Sequence, residues 1–435
     1  MRPSLKPADE PKLNGQQWLI VLLIGAVQFV NILDFVIVMP LGPDFAKALD
    51  VPESQLGMVG GAYTAAACLS GLIGSLFLDR FDRRKALAVA MLGLVAGTAA
   101  GGLAFDLKTL LLARFIAGTF GGPATSISFS IISDAIPPQL RGRAMGTVMG
   151  AFSVASVLGV PAGLWLAEAF DWRAPFIGVA LVGVVVCAFA VFSLPPMPGH
   201  LKAGPKNDIG AVGAMLRDPL VQLSYVMTAV VMMAGFVLIP NIAAYLQLNL
   251  GFPREGLKYA YGLGGLASLA ATQFGGRLVD RFGSFRVGTT GAVLVIGVVF
   301  AFFFLPHDSM PVWLALAMFP AFMIANGLRN VSYNTLTTKV PPPSIRARFQ
   351  SFQSATQHGA SALAAMSSSW MLSTVKLPNP AGGEPKPHIE GMHWVALTSM
   401  TLSLLVPLML FVVERGVRAR IAAEPVAVAP PAPAH

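Results

Sequence analysis

Three ionisable residues, Asp34, Arg114 and Arg329, lie inside long apolar runs. A charge near the centre of a bilayer costs about 2.5–3.5 kcal/mol on insertion scales, so each needs a partner or a task. Gln28, Asn31 and Asp34 step by three, which spreads them over one face of a helix. A buried carboxylate on such a face can take up a proton from one side of a membrane and release it on the other, coupling proton flow to the movement of a solute. A fixed ion pair with Arg114 or Arg329 is the other use open to it. A second set, Asn326, Arg329, Asn330, Tyr333, Asn334 and Thr337, recurs at helical spacing and forms one continuous polar stripe. In lipid that stripe must face protein or water. It either contacts a small polar substrate or bonds to neighbouring helices. The row Gln350, Gln353, Ser354, Gln357 and Ser361 reads as helix packing, and Asn241 and Tyr225 as weaker cavity candidates.

The elements that position these side chains are membrane spans. Of 435 residues, 55% are hydrophobic and only 12% charged, and the mean hydropathy is +0.67. That is too little charge to solvate the roughly three soluble domains that length alone would suggest. Apolar stretches cover 18–42, 54–78, 84–105, 107–135, 143–169 and 173–194, then 218–246, 256–279, 285–305, 311–338, 346–373 and 391–413. Each can cross about 30 Å of hydrocarbon at about 1.5 Å per residue. The expected organisation is a leader at 1–17, a six-helix bundle at 18–194, a Pro/Gly-rich linker at 195–217, a second bundle at 218–415 and a disordered tail at 416–435. The first run is too long for a signal-peptide core and reads as a retained span.

Basic residues gather in alternate loops, among them Arg80, Arg83, Arg84, Lys85, Arg141, Arg143, Arg277, Arg281, Arg346 and Arg348. The intervening loops hold only Lys47, Lys108, Arg173, Arg254, Lys258, Lys376 and Lys386. By the positive-inside rule both termini are cytoplasmic. The net charge of +9 thus reports topology; charges scattered through short loops make no nucleic-acid surface. Cys68 and Cys187 sit in separate apolar runs, so no disulfide is expected. Glu384, His388, Glu390 and His393 are irregularly spaced in a proline-rich outer loop, which reads as a solvated connector without a metal. No phosphate-binding loop, nucleophile elbow or zinc-helix motif occurs on a suitable element, so neither an enzyme, an ATP-driven pump nor a cofactor is expected.

One half of the chain is written twice. Asp79-Arg80-Phe81-Asp82-Arg83-Arg84-Lys85 returns as Asp280-Arg281-Phe282-Gly283-Ser284-Phe285-Arg286, again between apolar runs. Arg141-Gly-Arg143 corresponds to Arg346-Ala-Arg348, and Asp34 through Pro40 to Ala234 through Pro240, all offset by about 200 residues. Repeats of this kind place the functional site between the halves.

With these motifs the chain resembles the major facilitator superfamily over about residues 17–415. The family's hairpin motif GxxxDRxGRR is met by Asp79, Arg80, Arg83 and Arg84, with Ser75 and Asp82 where glycines are usual; the second copy keeps Gly276 and Gly283. Arg114 through Gly118 fits the family's fourth-span pattern, followed by Gly121 and Gly122. Gly150, Gly159, Pro161 and Gly163 approximate the fifth-span pattern of efflux members, with Leu164 breaking its final Gly-Pro pair. Together these are most similar to the arabinose-efflux and drug:proton antiporter branch. The resemblance implies an all-α membrane fold of twelve spans in two pseudo-symmetric six-helix bundles. It also implies alternating access around a cavity lined by spans 1, 4, 7 and 10, and hence proton-coupled efflux of small organic compounds by an inner-membrane monomer. Gln28, Asn31, Asn241, Asn326, Arg329, Asn330 and Tyr333 become cavity candidates. Asp34 and Arg114 become proton-coupling candidates, with an interfacial, snorkelling arginine the other reading of Arg114. Asp79, Arg80, Arg83, Arg84, Asp280 and Arg281 become a cytoplasmic gate, and Gly118, Gly150, Gly159, Pro161 and Gly163 helix-packing positions. An uptake symporter and a non-transporting membrane sensor are the alternatives.

Overall fold

Helix α1 (Gly15–Ile37) starts where Asn14 and Gln17 satisfy each other's backbone N–H groups, at 2.8 and 3.0 Å. This reciprocal cap occupies donors that a helix start otherwise leaves open. Asp106 and Thr109 make the same arrangement at the start of α4 (Leu107–Ala135). The computed structural model describes residues 13–137, 139–197, 209–305, 311–341, 345–378 and 385–423.

Between these two helices lie α2 (Leu56–Phe77) and α3 (Arg83–Gly102). The fifth crossing, α5, is assembled from Arg141–Met149, Ala151–Val154, a π-helical turn Ala155–Gly159 and Val160–Ala169. The span expected at 143–169 is interrupted here: Pro161 has no N–H to donate to the preceding turn, and the widened turn ends at Gly159, two residues before it. Helix α6 (Ala174–Ser193) completes the first half.

In the second half α7 runs as Pro219–Phe236 and Ile239–Leu248. It is followed by α8 (Leu257–Phe282), α9 (Ser284–Phe304), α10 (Val312–Thr337), α11 (Arg346–Met371) and α12 (Met392–Ala423). Among the described residues ten segments are both long and apolar enough to cross a membrane. Helices α8 and α11, 26 residues each, are long enough but more polar. They complete the two six-helix bundles, with six crossings in each half.

Helix α12 continues to Ala423, past the boundary expected at 415, so the segment from 416 to 423 is helical. The rest of the expected tail, most of the leader and residues 198–208 of the linker lie outside the described residues; the linker's end forms a helix, Ile209–Arg217. The outer loop after α11 is a correction as well. Strands β1 (Ser373–Leu377) and β2 (Lys386–Glu390) pair antiparallel, with Ser373 opposite Glu390. Asn249 donates to the Ile389 carbonyl at 2.8 Å and lies 3.1 Å from the His388 ring, so the hairpin is an ordered element bonded to the end of α7.

The halves meet along α2 against α11 and α5 against α8. Close approach demands small residues there: a Cβ on Gly57 would lie 2.0 Å from the Ala365 carbonyl oxygen, and one on Gly265 would lie 2.8 Å from the Ser156 backbone. Small residues also set the spacing inside the first half, where a Cβ on Gly118 of α4 would stand 2.1 Å from the Tyr63 carbonyl of α2. Gly159 and Gly163 give room to Leu33 and Ile37 of α1.

Candidate functional site

Asp34 is fully buried near the end of α1, and the cation that meets it comes from α4. Arg114 Nη1 donates to Asp34 Oδ1 at 2.8 Å and Nη2 to the Asp34 carbonyl at 3.2 Å, with side-chain exposures of 1% and 0%. Arg114 therefore does not snorkel to the interface. Thr98 of α3 donates to the same Oδ1 at 2.8 Å, so three helices converge on one carboxylate. Asp34 Oδ2 and Arg114 Nε have no protein partner. Arg329 is not part of this pair.

A polar chain runs from the pair through the first half. The Arg114 guanidinium lies 4.8 Å from the centroid of the Tyr63 ring, and the Tyr63 hydroxyl donates to Asn31 Oδ1. Asn31 in turn donates to the Gly121 carbonyl at 2.9 Å and to Thr125 Oγ1 at 2.8 Å, and Thr125 reaches Gln28 at 3.5 Å. The face anticipated from Gln28, Asn31 and Asp34 is thus turned toward α2, α3 and α4, and Asn31 is engaged on both ends of its amide. Tyr63, Thr98 and Thr125 are absent from the sequence-derived set. A tyrosine or threonine in an apolar run carries no spacing signal until its partner is known.

The α10 stripe divides in two. Arg329, 1% exposed, donates to Asn326 Oδ1 at 2.6 Å and to Ser403 of α12 at 3.2 Å. Among the described residues no carboxylate lies within ion-pairing distance of it. A turn further on, Tyr333 accepts from Gln357 and Thr337 from Gln353, each at 2.9 Å, so two residues of the α11 row bond across to α10. Asn330 is half-buried with its Oδ1 unpartnered. Asn241 donates to Ser368 at 2.9 Å, and Tyr225 to the Phe349 carbonyl at 3.2 Å.

The two copies of the hairpin loop are built differently. In the second, Gly283 takes φ +87°, which favours glycine, and Glu414 of α12 accepts the Phe285 N–H at 2.6 Å. In the first, Asp82 stands where that glycine is expected, at φ −56°. Its side chain caps α3 by accepting from Lys85 at 3.1 Å and takes the Met197 N–H at 2.7 Å. Arg83 reaches Asp134 of α4 at 3.3 Å, and Arg84 donates to the Leu194 carbonyl at 3.1 Å. The backbone at Asp79 and Arg80 forms a 3-10 turn; the side chain of Asp79 lies outside the described part. Arg80, Asp280 and Arg281 are exposed.

A sequence profile of the Major Facilitator Superfamily matches residues 24–365, most of both halves. The chain belongs to the Major Facilitator Superfamily. This is a family of transporters rather than enzymes, and the chain is a multi-pass membrane protein. Among its curated superfamily relatives are an inner membrane transport protein, YdhP, of Escherichia coli K12, 27% identical over 56% of this chain and 62% of its own length, and an uncharacterized MFS-type transporter, YfhI, of Bacillus subtilis, 25% identical over 53% and 58%. The chain thus spans about 60% of the length of these relatives. A probable sugar efflux transporter of Pasteurella multocida is 25% identical over 65% of this chain and 70% of its own. Solved structures share the fold: a D-xylose-proton symporter superposes with a TM-score of 0.73 at 16% identity, covering 91% of this chain and 97% of that one. A bacterial homolog of the human lysosomal transporter Spinster does so at 0.69 and 17%, covering 93% and 98%.

Proposed function

We propose that this protein is a secondary transporter of the inner membrane, with both termini cytoplasmic, that works as a monomer and exports small organic compounds in exchange for protons. The observation that carries the reading is the buried Asp34–Arg114 pair, closed at 2.8 Å with one carboxylate oxygen left unpartnered. Protonating Asp34 turns a matched pair into a lone buried cation. Breaking such a pair by removing one partner costs about 3–5 kcal/mol, so proton uptake at Asp34 favours a rearrangement that gives Arg114 a new environment. Asp34 sits on α1, Thr98 on α3 and Arg114 on α4, so loss of the pair loosens three helices of one half at once. That is the coupling alternating access needs.

On the substrate side, Asn330, Arg329, Asn326 and Tyr333 on α10, with Asn241 on α7 and Gln28 and Asn31 on α1, supply donors and acceptors for a polar organic molecule. Buried atoms without partners, Asn330 Oδ1, Asn241 Oδ1, Arg329 Nε and Gln28 Nε2, support this assignment because such atoms are costly unless something bonds to them. The Asp79, Arg80, Arg83, Arg84, Asp280 and Arg281 loops would close the cytoplasmic face in the outward-open state. The likeness to a probable sugar efflux transporter supports export over uptake. Counterflow in proteoliposomes, screened with drugs and metabolites recovered from a deletion and overexpression pair, tests the assignment. Absence of counterflow for every compound whose cellular level responds to the gene would refute transport.

A further inference from the structure

The face that holds the loops after α1, α5 and α7 carries charges whose only evident role in the sequence is to fill outer loops. Asp44 lies in the short helix Gly42–Ala48 that follows α1, and Glu168 in the last turn of α5. Arg254 lies in the turn Arg254–Gly256, and Lys258 in the first turn of α8. Arg254 Nε donates to the two Asp44 oxygens at 2.9 and 3.0 Å, and Nη2 stands 2.7 Å from Oδ2. Arg254 Nη1 lies 3.8 Å from Glu168 Oε1, while Lys258 Nζ donates to Glu168 Oε2 at 2.7 Å. Both acids belong to the first half and both bases to the second. Each of these ion pairs therefore crosses the boundary between bundles. At the opposite face, Arg83–Asp134, Arg420–Asp218 and Arg418–Glu414 each close within one half.

We infer that Asp44, Glu168, Arg254 and Lys258 are the gate that seals the outer face during transport, with Arg254, in the turn leading into α8, facing both carboxylates. This rests on the alternating-access reading above, and it assigns to four residues a conformational role that their sequence positions do not reveal. The degree of burial suits a gate that must reopen. The four side chains are between 21% and 27% exposed, so water reaches each charge as soon as the halves part, and the full desolvation cost of a buried pair is never incurred. Because the signs are segregated by half, separation leaves the acids on one bundle and the bases on the other, with no like-charged cluster newly formed across the opening. Other contacts between the halves accompany the charges. The Ser54 N–H donates to Thr374 Oγ1 at 3.1 Å, and α2 meets α11 directly at Gly57.

The test measures conformation without substrate. In the full chain with Cys68 and Cys187 replaced by Ala, spin labels at Lys47→Cys and Lys376→Cys report the distance across this face by pulsed EPR. The unaltered ion set gives predominantly the short distance. R254Q/K258Q is expected to raise the ratio of long to short populations about tenfold, the scale of a partly shielded ionic network. E168K alone should raise it as well, and E168K/K258E should return it toward the starting value by restoring an opposite-sign pair. Unchanged populations in R254Q/K258Q, or an E168K shift that K258E does not reverse, would overturn the gate. Distances that respond in a protein with no counterflow would leave the gate standing and refute the transport reading, so the two failures are separable.

Discussion

Replacing Asp34 by Asn removes one charge from the buried pair while keeping an oxygen for Thr98 and Arg114 to meet. In the native chain Oδ1 accepts both at 2.8 Å, and Arg114 is 1% exposed, so the variant leaves a guanidinium in the bundle interior without a counter-charge. Removing one partner of such a pair costs about 3–5 kcal/mol. The retained Oδ1 places D34N near the lower end, about 3 kcal/mol. D34A also forfeits the Thr98 bond, about another 1 kcal/mol. Arg114→Gln leaves the carboxylate unpaired at a similar cost, while D34N/R114Q removes both charges and should cost about 2–3 kcal/mol less than the sum of the singles. The assay is reversible unfolding of purified protein in mixed micelles across the four members of the cycle, run alongside transport driven by an imposed pH gradient. D34N is expected to keep substrate counterflow and lose the response to the gradient. Additivity within about 0.5 kcal/mol, or gradient-driven transport by D34N at the native rate, would refute the reasoning.

Gly118→Ala should cost about 1–3 kcal/mol by forcing α4 off the Tyr63 carbonyl, read as a lower melting temperature and a smaller monodisperse fraction in gel filtration. Tyr63→Phe keeps the ring beside Arg114 but strands Asn31 Oδ1, at about 1–3 kcal/mol in the same unfolding assay. Asp82→Ala removes the α3 cap and should lower stability by about 1 kcal/mol, whereas Asp82→Asn, which can still accept from Lys85, should cost less. Asn330→Ala should weaken substrate binding about tenfold, as a lost hydrogen bond of about 1.4 kcal/mol would, with an unchanged melting temperature; equal binding would remove Asn330 from the substrate site.

Much of this architecture was legible in the sequence because lipid imposes a strong, local rule. Residues such as those of 18–42 and 285–305 must be apolar for about 20 positions, and the repeated Asp-Arg-Phe loop then counts the halves. Even the more polar helices α8 and α11 fall on apolar stretches, 256–279 and 346–373, bounded by charged and Pro/Gly-rich punctuation. The candidate site was legible only as a set of residues that needed partners. Asp34 and Arg114 stand out because ionisable groups in lipid are rare, yet their spacing cannot say that Arg114, and not Arg329, closes on Asp34; that choice is made by the packing of α4 on α1. Thr98 and Tyr63 were invisible for the same reason. Arg254 and Lys258 looked like ordinary outer-loop charges until the fold brought Asp44 and Glu168 to them from the other half. The π turn before Pro161 and the Asp82 cap in place of a glycine are local, but each is one solution among several that the same residues permit.

Proton-coupled export is tested most directly by following protons and substrate together. Protein is reconstituted into vesicles loaded with a transported compound and a pH-sensitive dye, with no gradient imposed at the start. The account predicts that outward flow of the compound drives protons inward, and that D34N carries out exchange with no pH change. Outward movement of protons with the compound, or substrate flux with no proton movement in the native protein, would contradict it.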